Sequence, residues 1–208
     1  MAGRSWQVRD IDWNRKRLYV EASDIVGSAQ WFSPARPQSF ALTDAMRRIA
    51  VGTDPQGVTM SDRARRALAL VRTSHERNVE SDSTVLVARD ARHHTWWTWA
   101  GGRGNLTLAS ALDAVDPGLV AEEGRTSDFS LRIAADAGSG RLRSALRALR
   151  STKLESVVIA VDPGAIRGLK FGDLLPKHLA IDTVSRRMLD RESTGLVVGK
   201  PIVDRTTD

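Results

Sequence analysis

Residues 84–112 read TVLVARDARHHTWWTWAGGRGNLTLASAL, and a change of period inside this stretch decides the fold class. Thr84-Val85-Leu86-Val87-Ala88 and Thr95-Trp96-Trp97-Thr98-Trp99 are short runs of β-branched and aromatic residues, the pattern of strands. Asp90-Ala91-Arg92-His93 between them suits a hairpin connection. After Gly101-Gly102-Arg103-Gly104 the spacing becomes helical: Leu106, Leu108, Ala109 and Leu112 share a side, and Asn105 is placed to cap the start. Mixed strands and helices predict an α+β protein.

Toward the N-terminus, residues 5–22 predict a hairpin. Trp6 and Val8 alternate onto one face, then Ile11 and Trp13 resume one residue out of phase, which predicts a β-bulge near Asp10. Leu18, Val20 and Ala22 form the returning strand, and Trp31-Phe32 suggests a third. Short, bulged, aromatic strands predict a small barrel-like part. Two helices come next. The first carries Ala41, Leu42, Ala45, Met46 and Ile49 inward between Ser39 and Gly52; the second, capped by Ser61, carries Ala64, Ala67, Leu68 and Val71 inward. Glu76 to Ser83 reads as a polar linker. The expected division is a partial barrel with two helices over 1–80, a mixed α+β domain over 81–203, and a mobile tail over 204–208.

In that second part, Phe129 to Ile133 predicts a strand. Arg141 to Arg150 predicts an amphipathic helix with Leu142, Ala145, Leu146 and Leu149 inward and Arg143, Arg147 and Arg150 outward. A further helical pattern covers Ala180 to Leu189.

The 208 residues carry a net charge of +6 and no cysteine, and no apolar run reaches the ~18 residues needed to span a bilayer. These features, with no signal-peptide pattern at the start, predict a soluble cytoplasmic chain without a membrane partner. Residues 1–79 carry 13 basic and 8 acidic groups, 80–126 carry 4 and 7, and 127–208 carry 14 and 10, so two basic ends flank an acidic middle. Arginine outnumbers lysine 26 to 5, which suits phosphate oxygens and equally follows from GC-rich codon usage.

Several chemistries are excluded by what is missing. Gly199-Lys200 is followed by Pro201, so no Walker A loop exists, and no glycine pattern completes a dinucleotide fingerprint. There is no Gly-x-Ser-x-Gly elbow. His93 and His94 are adjacent and point to opposite sides of an extended chain, while Asp10 and Asp12 fit a solvated edge better than a metal site. No catalytic residue and no metal ligand is assigned. The candidate nucleic-acid contacts are the cationic hairpin tip Arg15, Lys16 and Arg17, the pair Trp97 and Trp99, Arg103, and the stripe Arg143, Arg147 and Arg150. Solvated arginines and a buried tryptophan core are the competing reading.

Three segments together resemble a known family. Gly3-Arg4-Ser5-Trp6-Gln7-Val8, with Ile11-Asp12-Trp13, Val20-Glu21 and Trp31, is similar to the region after the winged helix in the large Lhr-type superfamily 2 helicases of the DEAD/DEAH-box class. Trp96 to Gly101 with Asn105 and Leu108-Ala109, and Leu169 to Pro176 with Arg187 to Asp190 and Pro201, resemble later segments of bacterial members. The resemblance implies the C-terminal accessory region of an ATP-dependent DNA helicase, a fragment or split product lacking both RecA-like motor lobes. ATP and Mg²⁺ would belong to that motor, leaving no cofactor for this chain. The implied partners are single-stranded DNA or another nucleic acid and an upstream helicase motor chain. A module that docks on such a motor without touching DNA is the alternative.

Overall fold

The structure, a computed structural model, describes residues 5–24, 36–122, 126–151, 157–159, 161, 163–170 and 172–206. The chain falls into two compact units, Met1–Arg36 and Pro37–Asp208. Strands and helices are both present in quantity, so the class is α+β.

In the first unit, β1 (Ser5–Asp12) pairs antiparallel with β2 (Arg17–Ser23), and the register shifts between Val8 and Asp10. This is the expected bulge, and its effect is on facing. Trp6 pairs with Ala22, Val8 with Val20 and, past the shift, Ile11 with Leu18, so all six lie on one face. At the turn the Arg15 N–H donates to Asp12 Oδ1 at 2.9 Å, and Lys16 takes a left-handed φ of 53°. Trp6, Val8, Ile11 and Leu18 remain 39–54% exposed. Among the described residues the sheet is an open two-stranded ribbon, and no barrel closes around it. The strand expected at Trp31-Phe32 lies outside the described residues.

The second unit begins with α1 (Phe40–Val51) and α2 (Asp62–His75), capped as expected by Ser39 and Ser61. Their inward faces differ from expectation. Thr43, Arg47 and Ala50 are the buried stripe of α1, while Leu42 and Met46 are exposed; α2 buries no residue, and its Val71 is exposed. The reason is polar: Thr43 Oγ1 donates to the Trp99 carbonyl at 2.8 Å, and Arg47 donates to the Glu80 carbonyl at 2.6 Å and to that of Ser81. These bonds turn α1 about its axis and tie it to the backbone at residues 80, 81 and 99. The unit boundary accordingly falls at residue 36 rather than 80, and the segment expected as a linker holds a 3₁₀ turn, Glu76–Asn78, and the buried Val79.

The rest of the unit is built on a four-stranded sheet: β3 (Thr84–Ala88), β4 (His93–Trp97), β5 (Ser130–Ala134) and β6 (Ile202–Arg205) in the order β5-β4-β3-β6. All pairs are antiparallel except β3 with β6, which run parallel. Against one face lie α3 (Gly101–Val115), α4 (Gly138–Ser151) and α7 (Arg191–Val198); α5 (Pro163–Arg167) and α6 (Lys177–Met188) precede α7. Leu86, Trp96, Leu131 and Ile133 meet Leu108, Leu112, Leu142, Leu146 and Val197 there, all at most 3% exposed. Burying each such side chain contributes about 1.5–3 kcal/mol relative to exposure. Ile202 to Arg205 is strand, so Asp204 and Arg205, expected in a tail, end the sheet.

The start of α3 corrects the expected cap. The helix begins at Gly101, not after Asn105, because its glycines allow close approach: a Cβ on Gly101 would stand 2.7 Å from the Gln38 carbonyl, and one on Gly102 2.4 Å from Asp128 Oδ1. Gly101 also has a left-handed φ of 75°. Asn105 is instead fully buried, accepting from Thr98 Oγ1 at 2.5 Å and donating to the Ser127 carbonyl at 2.8 Å.

Candidate nucleic-acid interface

The arginines of α4 follow from its period. Positions 142, 145, 146 and 149 are buried against the sheet and α7, and Arg143, Arg147 and Arg150 form an exposed stripe along the flank of that face. The stripe faces the end of α7 and the start of β6. Together Arg143, Leu146, Arg147, Arg150, Lys200, Pro201 and Ile202 line a groove of 360 Å³. Its floor is apolar, from Leu146, Pro201 and Ile202, and its rim is cationic.

Two of the arginines are anchored. Arg150 Nε donates to the Val198 carbonyl at 3.0 Å, placing a cation at the C-terminal end of α7 where the helix dipole favours it. Arg143 donates to the Ile202 carbonyl and to Ser139 Oγ, both at 3.2 Å. Arg147 donates only to Ser144 Oγ, at 3.1 Å, on its own helix. Among the described residues none of these three, nor Lys200, forms an ion pair with a carboxylate. Asp204 is the nearby acid: burial acts to raise its carboxyl, but hydrogen bonds from Ser139 and Thr206 and the charge of Arg143 outweigh it and hold it below its ordinary value. Burial lowers the Lys200 ammonium, and Arg47 lowers it further against the opposing Asp44 and Asp82. Three arginines and one lysine thus line a groove with an apolar floor.

The other expected contacts do not line this groove. Arg15, Lys16 and Arg17 are exposed at the hairpin tip of the first unit, where Arg15 stands 3.9 Å from Asp12. Arg103 is exposed on the first turn of α3. Trp97 is half-buried and faces away from α4, because its neighbour Trp96 is in the core. Trp99 does not continue the strand. Its φ is 56°, and the N–H groups of Thr98 and Trp99 both donate to the Phe129 carbonyl, at 3.1 and 2.9 Å.

Trp99 is 4% exposed, its Nε1 donates to the Asn78 carbonyl at 3.2 Å, and its ring meets His75, Trp97 and Phe129 at centroid distances of 5.7, 5.8 and 5.1 Å. A ring enclosed on these sides has no face for a base, so Trp99 is core.

Lys200 is the groove residue that sequence reasoning missed. The Gly199-Lys200-Pro201 run carries no local signal beyond a failed phosphate loop, and its placement follows from the parallel pairing of β6 with β3. Among the described residues no group of three or more His, Cys, Asp or Glu is gathered as a metal site, and no helix is long and apolar enough to cross a membrane. No family model, curated protein or solved structure matches the chain.

Proposed function

We propose that this chain is a nucleic-acid-binding accessory module of the kind its resemblance to the Lhr-type helicases implies, with the α4–β6 groove holding the sugar-phosphate backbone of a single strand. The observation that carries this reading is the convergence of Arg143, Arg147, Arg150 and Lys200 on one groove. Phosphates satisfy the rim charges and release counterions, and the apolar floor receives a sugar or unstacked base. Motor, ATP and Mg²⁺ lie outside these 208 residues in this reading, so no catalytic role is assigned to the chain. Fluorescence anisotropy with a labelled single-stranded oligonucleotide over a range of salt tests it. Binding should weaken steeply with salt, and Arg147→Ala should reduce the slope of log K against log salt by about 0.7. No binding at low salt refutes the reading.

A second reading has its own observation. Trp6, Val8, Ile11 and Leu18 on the apolar face of the β1–β2 hairpin are exposed, as are Leu42, Met46, Leu70 and Val71 of α1 and α2. Such faces suit docking on a helicase motor chain without contact to DNA. Copurification with a motor subunit, without affinity of the isolated chain for DNA, would select it.

A further inference from the structure

The 14-residue helix α2 buries none of its side chains. Alone in water a helix of about that length is marginal. It is anchored near its C-terminal end: Arg72 donates to the Ile49 and Thr53 carbonyls, each at 3.0 Å, and to Asp54 at 2.8 Å. There the His75 ring also meets Trp97 and Trp99, at centroid distances of 5.9 and 5.7 Å. Along the rest of the helix runs an exposed face. Ala64, Ala67 and Val71 follow one another at steps of three and four residues, and Arg63, Arg66 and Leu70 do the same one position earlier. Helical geometry alone makes these six neighbours in two adjacent columns, and all six are exposed, Leu70 by 73% and Val71 by 48%. Asp62 is the one carboxylate of the helix, and it pairs with Arg65 at 3.0 Å. Arg63 and Arg66 have no partner among the described residues.

We infer that this face of α2 docks an acidic amphipathic helix of a partner protein. Leu70 and Val71 supply the apolar contact, while Arg63 and Arg66, three residues apart, meet carboxylates on the flank of the incoming helix. Charge selects this occupant over a second copy of the chain. Four arginines stand against one aspartate on α2, so two copies of the face would set arginine against arginine. A phosphate backbone would use the arginines and leave Leu70 and Val71 unmatched, whereas an apolar stripe beside an acidic flank matches both columns. Docking also supplies the buried side that α2 lacks. The inference deepens the docking reading of this chain and rests on it; it is independent of the α4–β6 groove.

The test titrates the full chain into a fluorescein-labelled helical peptide of about 18 residues, with leucine at helical spacing and glutamate along its flanks, and reads anisotropy. A second peptide carries lysine in place of every glutamate. The glutamate peptide should bind, and the lysine peptide should bind about tenfold more weakly or worse. Val71→Glu and Leu70→Glu, both at exposed positions, should each weaken the glutamate peptide by about tenfold. The double variant Arg63→Glu, Arg66→Glu should reverse the preference and take the lysine peptide, an exchange that a merely structural role for these arginines would not produce. No binding of the glutamate peptide, equal binding of both peptides, or an unchanged affinity in Val71→Glu overturns the inference. A single-stranded oligonucleotide or a phosphatidylglycerol vesicle that the parent binds and Val71→Glu does not assigns the face to nucleic acid or membrane and overturns it as well. Copurification judges the docking reading separately. A motor subunit retained equally by the parent and Val71→Glu keeps that reading and overturns this face, while one not retained by the parent refutes the docking reading itself.

Discussion

Replacing Arg47 with methionine removes the guanidinium and keeps most of the side-chain volume. Arg47 is 6% exposed; its guanidinium reaches Asp44 Oδ1 at 2.8 and 3.0 Å, the Glu80 carbonyl at 2.6 Å, and the Ser81 carbonyl. Breaking a fully buried pair from one side costs about 3–5 kcal/mol. The cost here sits at the low end, because the Asp44 side chain is 21% exposed and keeps Arg48 at 3.3 Å. The two carbonyls lose charged donors worth roughly 1.5–3 kcal/mol each, part of which water recovers. A net loss of about 3 kcal/mol lowers Tm by roughly 6–12 °C for a unit of this size.

Thermal unfolding followed by far-UV circular dichroism measures the loss directly. Arg48→Met is the control, since it removes an exposed partner of the same carboxylate and should cost no more than about 1 kcal/mol. A Tm for Arg47→Met within about 2 °C of the parent, or equal to that of Arg48→Met, would refute the claim that the polar stripe of α1 holds the helix in place.

Three further outcomes are expected. Trp99→Ala should destabilise by about 3–5 kcal/mol in urea titrations, as for a core tryptophan, and an unchanged midpoint would show that the ring is not enclosed. Gly101→Ala should cost clearly more than Gly118→Ala: both have left-handed φ and so a penalty of about 1–2 kcal/mol, but the Gly118 Cβ meets open space and the Gly101 Cβ meets backbone. Equal midpoints for the two would contradict the close approach at α3. Asp116 accepts two N–H groups from Arg141 at 2.8 and 2.6 Å, which hold its carboxyl below the ordinary value, against burial acting to raise it. Its stabilisation is therefore complete above the unfolded value of 3.8 and is lost as pH falls through the lower folded value. Asp116→Asn should flatten the acid limb of the stability profile, and an unaltered limb would exclude the pair as its source.

Local signals made parts of the fold legible. The phase break after Val8 located the bulge, Ser39 and Ser61 marked two helix starts, and the spacing of Leu142, Ala145, Leu146 and Leu149 fixed the buried face of α4 and hence the arginine stripe. What failed depended on distant partners. Hydrophobic spacing assigned α1 the wrong face because its inward groups are Thr43 and Arg47, whose partners lie 33 to 56 residues away. The glycines before Asn105 were placed ahead of the helix because nothing local shows that residues 37–40 pack against them. The alternation through Thr95 to Trp99 gave no sign that the chain turns at Trp99 into a left-handed conformation. At the site, three groove cations were legible as one helical stripe; the fourth, Lys200, sits on another element and was not.

The parallel pairing of β6 with β3 also sets an order of events. The Thr84 hydroxyl donates to the Pro201 carbonyl across 117 positions of sequence, so during synthesis β3 emerges long before the strand that completes its outer side. The antiparallel ladder of β3 and β4 and the helix α4 can form earlier, from nearby segments. Until β6 arrives, a nascent chain carries an open strand edge and an arginine stripe with no opposite wall. Closure of the sheet and assembly of the groove are then one event, so the groove exists only in a chain that has finished folding this layer.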